Sequence, residues 1–345
     1  MAKEILLNIV ACIVTPENHT DYIIEALHFN HQKSVQHLTI PKTIRFKPRQ
    51  IDGFHKVILT FNESDTSPKC YTVWYDPTTK LRKNAPAINE CRKCAGFGVI
   101  NDQFVFAAGG VNRSSSKSIS MLDVSSQSPS WVPMADMLVS RRQLGVGVLG
   151  DSIYFVGGCQ GITSLQCVEV FNVSTQKWRM VSSMTIKRND LGIGVLNSRL
   201  YAVGGACNGR SLNSVEYYDP TLGTWTPVAD MSVCRQGVGV GVLDGLMYAI
   251  GGRSSTYLNS VEVYRPSDGV WSSVADMNLC RMKPGVAVLD GLLYVMGGEM
   301  EHSIVGTVEI YDPKTNTWTM ERLSSNGHGV QIYGGVVVDR PYYYH

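Results

Sequence analysis

Residues Arg235–Trp271 read RQGVGVGVLDGLMYAIGGRSSTYLNSVEVYRPSDGVW, and this stretch decides the fold. A small-apolar run, Val238 to Leu243, meets the turn Asp244-Gly245. A second run, Leu246 to Ile250, ends at Gly251-Gly252. After a polar loop comes the alternating Ser260-Val261-Glu262-Val263-Tyr264, and a turn from Pro266 to Gly269 leads to Trp271. Period-two alternation with Gly, Asp and Pro punctuation predicts four short antiparallel strands, A to D. No helical periodicity appears after residue 50.

The same unit recurs. Paired glycines fall at Gly109-Gly110, Gly157-Gly158, Gly204-Gly205, Gly251-Gly252 and Gly297-Gly298. Tryptophans fall at Trp131, Trp178, Trp225, Trp271 and Trp318, and an arginine follows each of the first four by ten residues (Arg141, Arg188, Arg235, Arg281). Three marks moving together at about 47 residues define a repeat. Four-stranded units of this length suit radial blades around a channel; a β-helix repeats at shorter intervals and a sandwich does not hold one spacing five times. The expected fold is therefore all-β, a six-bladed propeller. Stepping back 48 from Gly109 lands on Phe61-Asn62, within a worn unit at residues 57–84 that has lost its glycine pair and carries Leu81 where tryptophan is expected. That unit lacks strand A, and Gly334 to Val338 is an A-like strand without a B. Pairing the two completes the sixth blade and removes the open sheet edges.

Composition limits the function. The 345 residues carry 31 Lys+Arg and 29 Asp+Glu, so no net field draws nucleic acid or a membrane surface. Apolar residues at 44% supply a core. No run reaches the ~18 apolar residues of a membrane span, and Ile5 to Val14 lacks the cleavage pattern of a signal peptide. Nine cysteines spread over a large chain fit a reducing, cytoplasmic compartment better than a disulfide framework. The sequons at Asn18, Asn62, Asn112 and Asn172 carry no meaning there.

Leu200-Tyr-Ala-Val-Gly-Gly, Ser214-Val-Glu-Tyr-Tyr-Asp-Pro, Trp225 and Met231 resemble the kelch repeat, in the form found in the kelch-like family that includes ring canal kelch. Members of that family carry a BTB domain, a helical BACK domain and six kelch blades. They serve as substrate adaptors of cullin-RING (cullin-three type) E3 ubiquitin ligases, and some bind actin. Residues 1–50 resemble the end of a BACK domain and its basic linker: Thr15 as a cap before Pro16, an apolar stripe at Tyr22, Ile23, Ala26, Leu27 and Phe29, then Ile40-Pro41-Lys42 to Pro48-Arg49. The expected organisation is a BACK remnant at 1–50, the propeller at 51–341 and a tail at 342–345. The BTB domain and most of BACK are missing from this pattern. The resemblance therefore implies a cullin partner only where a BTB domain is supplied, and a truncated copy without ligase activity is the alternative.

The repeating marks read as framework. The glycine pairs end strand B, the tryptophans fill space between blades, and the arginines bond local backbone or the strand-C glutamates Glu169, Glu216, Glu262 and Glu309. Gly237-Val-Gly-Val-Gly begins a strand rather than a helix, so it is no phosphate cradle. Cys91-Arg-Lys-Cys94 has no second CxxC to complete a metal site. His55, His302, His328 and His345 neither repeat nor cluster, so neither a metal nor a catalytic set is expected. No cofactor and no enzymatic activity follow.

Binding residues follow from strand direction. Strand B ends at the glycine pair and A runs antiparallel to it, so the B–C loops and the D–A crossings share one rim around the channel. Loops on a rigid scaffold carry recognition, and these loops differ between units while the framework does not. The candidate rim residues are Arg113, Arg142, Gln143, Asn189, Asp190, Asn208, Arg210, Gln236, Arg253, Tyr257, Lys283, Glu301 and His302. Their cations suit an acidic peptide of a protein substrate, held by charge-assisted hydrogen bonds.

Overall fold

The computed structural model describes residues 56–64, 70–88, 94–112, 114–301, 303–304, 306–322, 330–341 and 344. The expected BACK remnant, Cys91, Arg113 and His302 lie outside these residues. Each unit is a four-stranded antiparallel sheet in the order A-B-C-D. Blade 4 is typical, with strands Gly192–Leu196, Arg199–Val203, Val215–Asp219 and Thr224–Val228. Blades 2, 3, 5 and 6 begin with strands Gly96–Ile100, Gly145–Leu149, Gly239–Leu243 and Gly285–Leu289. Blade 1 is completed by the C-terminal strand Val330–Asp339, which pairs with Lys56–Ser64, Phe61 facing Gly334 and Val57 facing Val338. Every A strand contacts the A strand of both adjacent blades, including Val330–Asp339 with Gly96–Ile100, so the ring is closed.

Glycine alternates with valine in strand A because these inner strands converge. A Cβ built on Gly145 would stand 2.3 Å from Ile193 Cγ1 of the next blade, closer than any real contact. The cores lie between sheets. Tyr154, Val168 and Val170 of blade 3 bury against Leu200, Ala202, Tyr218 and Trp225 of blade 4. The strand-D tryptophans seal these seams. Trp225 lies 5.5 Å from the ring of Tyr218 and donates its indole N–H to Ser182 O of the preceding blade at 2.9 Å. Trp271 and Trp318 repeat the bond to Ala229 O and Ala275 O.

The periodic arginines are buried. Arg141 Nε donates to Glu169 Oε1 at 2.8 Å, and its Nη1 donates to Gly157 O and Cys167 O at 2.7 and 2.8 Å. The other oxygen, Glu169 Oε2, accepts from Leu138 N at 2.6 Å. One pair therefore joins the crossing strap, the glycine turn and strand C. Arg188–Glu216, Arg235–Glu262 and Arg281–Glu309 repeat it. Blades 1 and 2 carry Val73 and Ser120 at the glutamate position.

Blade 1 shifts two expected positions by one residue. Arg82, not Leu81, faces Tyr75 as Trp225 faces Tyr218, and Leu81 is half exposed. Asn62, not Phe61, takes the place of the first glycine, since Thr60 pairs with Val73 as Ala202 pairs with Glu216. The step from Gly109 is thus 47 residues. Within the expected tail, Tyr344 is buried, donates to Leu81 O at 3.2 Å and lies under the guanidinium of Arg340 at 4.4 Å. Cys70 is in a disulfide, which a fully reduced set of cysteines does not anticipate, while Cys94, Cys159, Cys167, Cys207, Cys234 and Cys280 are free.

Glu216→Ala leaves Arg188 buried without its carboxylate partner and is expected to cost about 3–5 kcal/mol, read as a lowered denaturation midpoint. A loss within about 0.5 kcal/mol, the range of a surface change, would show the pair to be dispensable.

Candidate protein-recognition rim

The crossings and the B–C hairpins meet on one face, as strand direction requires. Arg142 pairs with Cys159, Asn189 with Ala206, Gln236 with Arg253 and Met282 with Glu299, each exchanging backbone hydrogen bonds of 2.7–3.0 Å. Short two-residue ladders then carry the chain out and back, as in Cys159–Gln160 with Thr163–Ser164 and Ala206–Cys207 with Arg210–Ser211.

One residue further along each crossing, a backbone chain runs round the channel mouth. Gln143 N donates to Cys94 O, Asp190 N to Gln143 O, Gly237 N to Asp190 O and Lys283 N to Gly237 O, at 2.7–2.9 Å. All five residues are left-handed, with φ between 50° and 64°, a conformation that costs a side-chain-bearing residue about 1–2 kcal/mol. All five line one cavity.

Inside the belt Asp190 is the hub. Its Oδ2 accepts from Gln143 Nε2 at 2.8 Å and from Gln236 Nε2 at 3.1 Å, and Oδ1 lies 3.5 Å from Lys283 Nζ. Asp190 and Lys283 lead into blades 4 and 6. Gly237 lies between them without a side chain: a Cβ there would stand 2.8 Å from Met282 Cγ and 3.0 Å from Lys283 Cγ. Burial pushes the Asp190 carboxyl above its usual range, with Lys283 and Gln236 opposing. Burial works against the Lys283 ammonium, but Asp190, Cys94 and Glu299 together outweigh it and the pKa rises, so Lys283 stays charged. Gln143 Oε1 in turn accepts from Cys159 Sγ at 3.1 Å and Asn189 Nδ2 at 3.4 Å.

The outer candidates differ in character. Asn208, Arg210, Arg253 and Glu301 are exposed. The Arg253 guanidinium lies 5.6 Å from the centre of the Tyr257 ring. Arg142 is half-buried and donates to Gly161 O at 3.0 Å. The structure thus sorts the described candidates into an inner network (Gln143, Asn189, Asp190, Gln236, Lys283) and an outer set (Arg142, Asn208, Arg210, Arg253, Tyr257, Glu301). Lys283 belongs to the first, being paired.

Three residues went unremarked among the sequence candidates. Glu299 occupies the repeat position of Arg253, directly after the glycine pair. Cys94 occupies that of Gln143. Either could be found by carrying a chosen position through every unit. Ile162, at the tip of the blade 3 hairpin, is 97% exposed. A cavity of about 260 Å³ opens among Gln143, Asp190, Lys283 and Glu299, with Leu144, Leu191, Val238 and Pro284 as its apolar wall. Among the described residues no three His, Cys, Asp or Glu side chains form a metal-holding group.

A closed ring of six sheets with a loop-built rim defines a β-propeller of the protein-interaction class. The KLHDC2/KLHL20/DRC7 Kelch-repeats domain matches residues 98–284, just over half of the chain, and the Kelch motif matches residues 280–322. The chain belongs to the kelch-repeat family. It is similar to two proteins of Arabidopsis thaliana. F-box/kelch-repeat protein At4g39580 is 40% identical over 82 residues, 24% of this chain and 21% of the relative. F-box/kelch-repeat protein At4g39560 is 29% identical over 121 residues, 34% of this chain and 45% of the relative. The matches thus span between about a fifth and just under half of these relatives.

Gly237→Ala forces a Cβ against Lys283 at a left-handed position and is expected to cost about 1–3 kcal/mol, while Arg253→Ala stays within about 0.5 kcal/mol. Equal denaturation midpoints for the two variants would overturn this account of the belt.

Proposed function

We propose that this propeller is the substrate-recognition part of a cytoplasmic ubiquitin-ligase adaptor, its rim holding an acidic segment of the substrate. The observation that carries the reading is the division of the arginines. Arg141, Arg188, Arg235 and Arg281 are buried and satisfied by the framework, whereas Arg210 and Arg253 stand exposed on hairpins that differ from blade to blade. Arg142 stands half-buried beside them. A guanidinium on a rigid loop base binds carboxylate with directional, charge-assisted bonds. The ligase role draws on the resemblance to BTB-BACK-kelch adaptors and on the F-box in the names of the relatives, a module of ubiquitin-ligase subunits. A cullin would be reached through a BTB domain supplied with this propeller.

The test is capture of partners by the propeller and by an Arg142→Ala/Arg210→Ala/Arg253→Ala variant. The variant is expected to fold normally and to bind its partners at least about tenfold more weakly, the equivalent of about 1.4 kcal/mol. Undiminished capture would move recognition off the rim. Absence of any cullin from the complexes, with a BTB-containing relative present, would remove the ligase role. Co-sedimentation with actin filaments that ignores the three substitutions would replace this reading with a cytoskeletal one.

A further inference from the structure

We infer that the cavity at the channel mouth is a socket for one cationic side chain, a lysine or arginine, of the segment held on the rim; this deepens the rim reading and rests on it. Charge inside the cavity is the first support. Lys283 reaches across Gly237 to Asp190, so that ammonium and that carboxylate cancel. Glu299 remains. Its half-buried side chain lines the same cavity and makes no hydrogen bond or ion pair among the described residues, yet it lies close enough to act on Asp190, Lys283 and Cys94. The lining therefore carries one uncompensated negative charge. Burial pushes the Cys94 thiol up, so it keeps its proton and adds no charge.

Shape is the second support. The wall opposite these groups is Leu144, Leu191, Val238 and Pro284. An aliphatic stem packs on such a wall while its charged head reaches the polar side, the arrangement that lysine and arginine adopt elsewhere. The volume of about 260 Å³ admits one long side chain rather than a folded segment. Asp190 Oδ1, which lies 3.5 Å from Lys283 Nζ, has accepting capacity left for a second donor. Position on the rim is the third. Glu299 and the exposed Glu301 share the blade 6 hairpin, whereas Arg142, Arg210 and Arg253 belong to blades 3, 4 and 5. The rim is polarised, and a segment that matches it carries acidic residues over blades 3 to 5 and one cation beside blade 6. That pattern fixes the direction in which the segment lies.

The probes are n-butylguanidinium and n-butylammonium, with n-butyrate as the anionic control. Methyl resonances of Ile332, which borders the cavity, report occupancy by NMR. Both cations are expected to shift Ile332 in a saturable way and butyrate to leave it unmoved. Glu299→Gln is expected to weaken the cations at least about fivefold without changing the unfolding midpoint. Equal shifts by butyrate, no shift by the cations, or undiminished binding to Glu299→Gln would overturn the socket. The two readings fail separately. Loss of the socket leaves the effect of the triple arginine variant on partner capture intact, and failure of the arginine rim leaves alkylguanidinium binding intact.

Discussion

The rim depends on a buried guanidinium. In blades 3 to 6 one arginine reaches from the crossing strap into its own blade, bonds the glycine turn and strand C, and is neutralised by a glutamate that in turn holds the strap's N–H groups. A buried ion pair of this kind adds little net stability over apolar filling, because desolvation offsets much of the attraction. What it contributes is position. Strap, turn and strand are each fixed to one rigid planar group, so the residue after the arginine reaches the hairpin base in the same place in every blade. The backbone belt at the channel mouth follows from that placement.

Between the blades the forces are of another kind. Aromatic rings from strand B of one blade meet strand C of the next across the seams of blades 3 to 6, with Tyr154 5.7 Å from Tyr218, Tyr201 6.1 Å from Tyr264 and Tyr248 5.8 Å from Tyr311. Blades 1 and 2 lack the glutamate and hold together differently. Phe61 stacks on Phe97 with centroids 3.8 Å apart, beside the glycines of Val330–Asp339. Closure is thus achieved by strand pairing and ring stacking where the ionic clamp is missing.

Much of this was legible in the chain. Glycine pairs, tryptophans and arginines recur because each performs the same task in every blade, so their spacing exposes the repeat, the strand order and the closing strand. The partnership of the arginines with Glu169 and its counterparts was readable for the same reason. The inner site was not. Lys283 reads as a free cation, since Asp190 stands 93 positions away in sequence and two blades away in space. The backbone belt brings them together, with Gly237 between them. Positions in blade 1 slipped by one because its glycines and tryptophan are gone, leaving Asp76-Pro77 as the main landmark.

In blades 3 to 6 each hairpin base is joined to its crossing by a pair of main-chain bonds, Gln236 with Arg253 and Met282 with Glu299 among them. Such bonds do not depend on side-chain identity. Each hairpin is therefore an interchangeable cassette, and a new set of tips could be grafted between a glycine pair and the next strand C while every buried contact stayed as it is. A scaffold wired in this way lets specificity drift quickly and shape hardly at all.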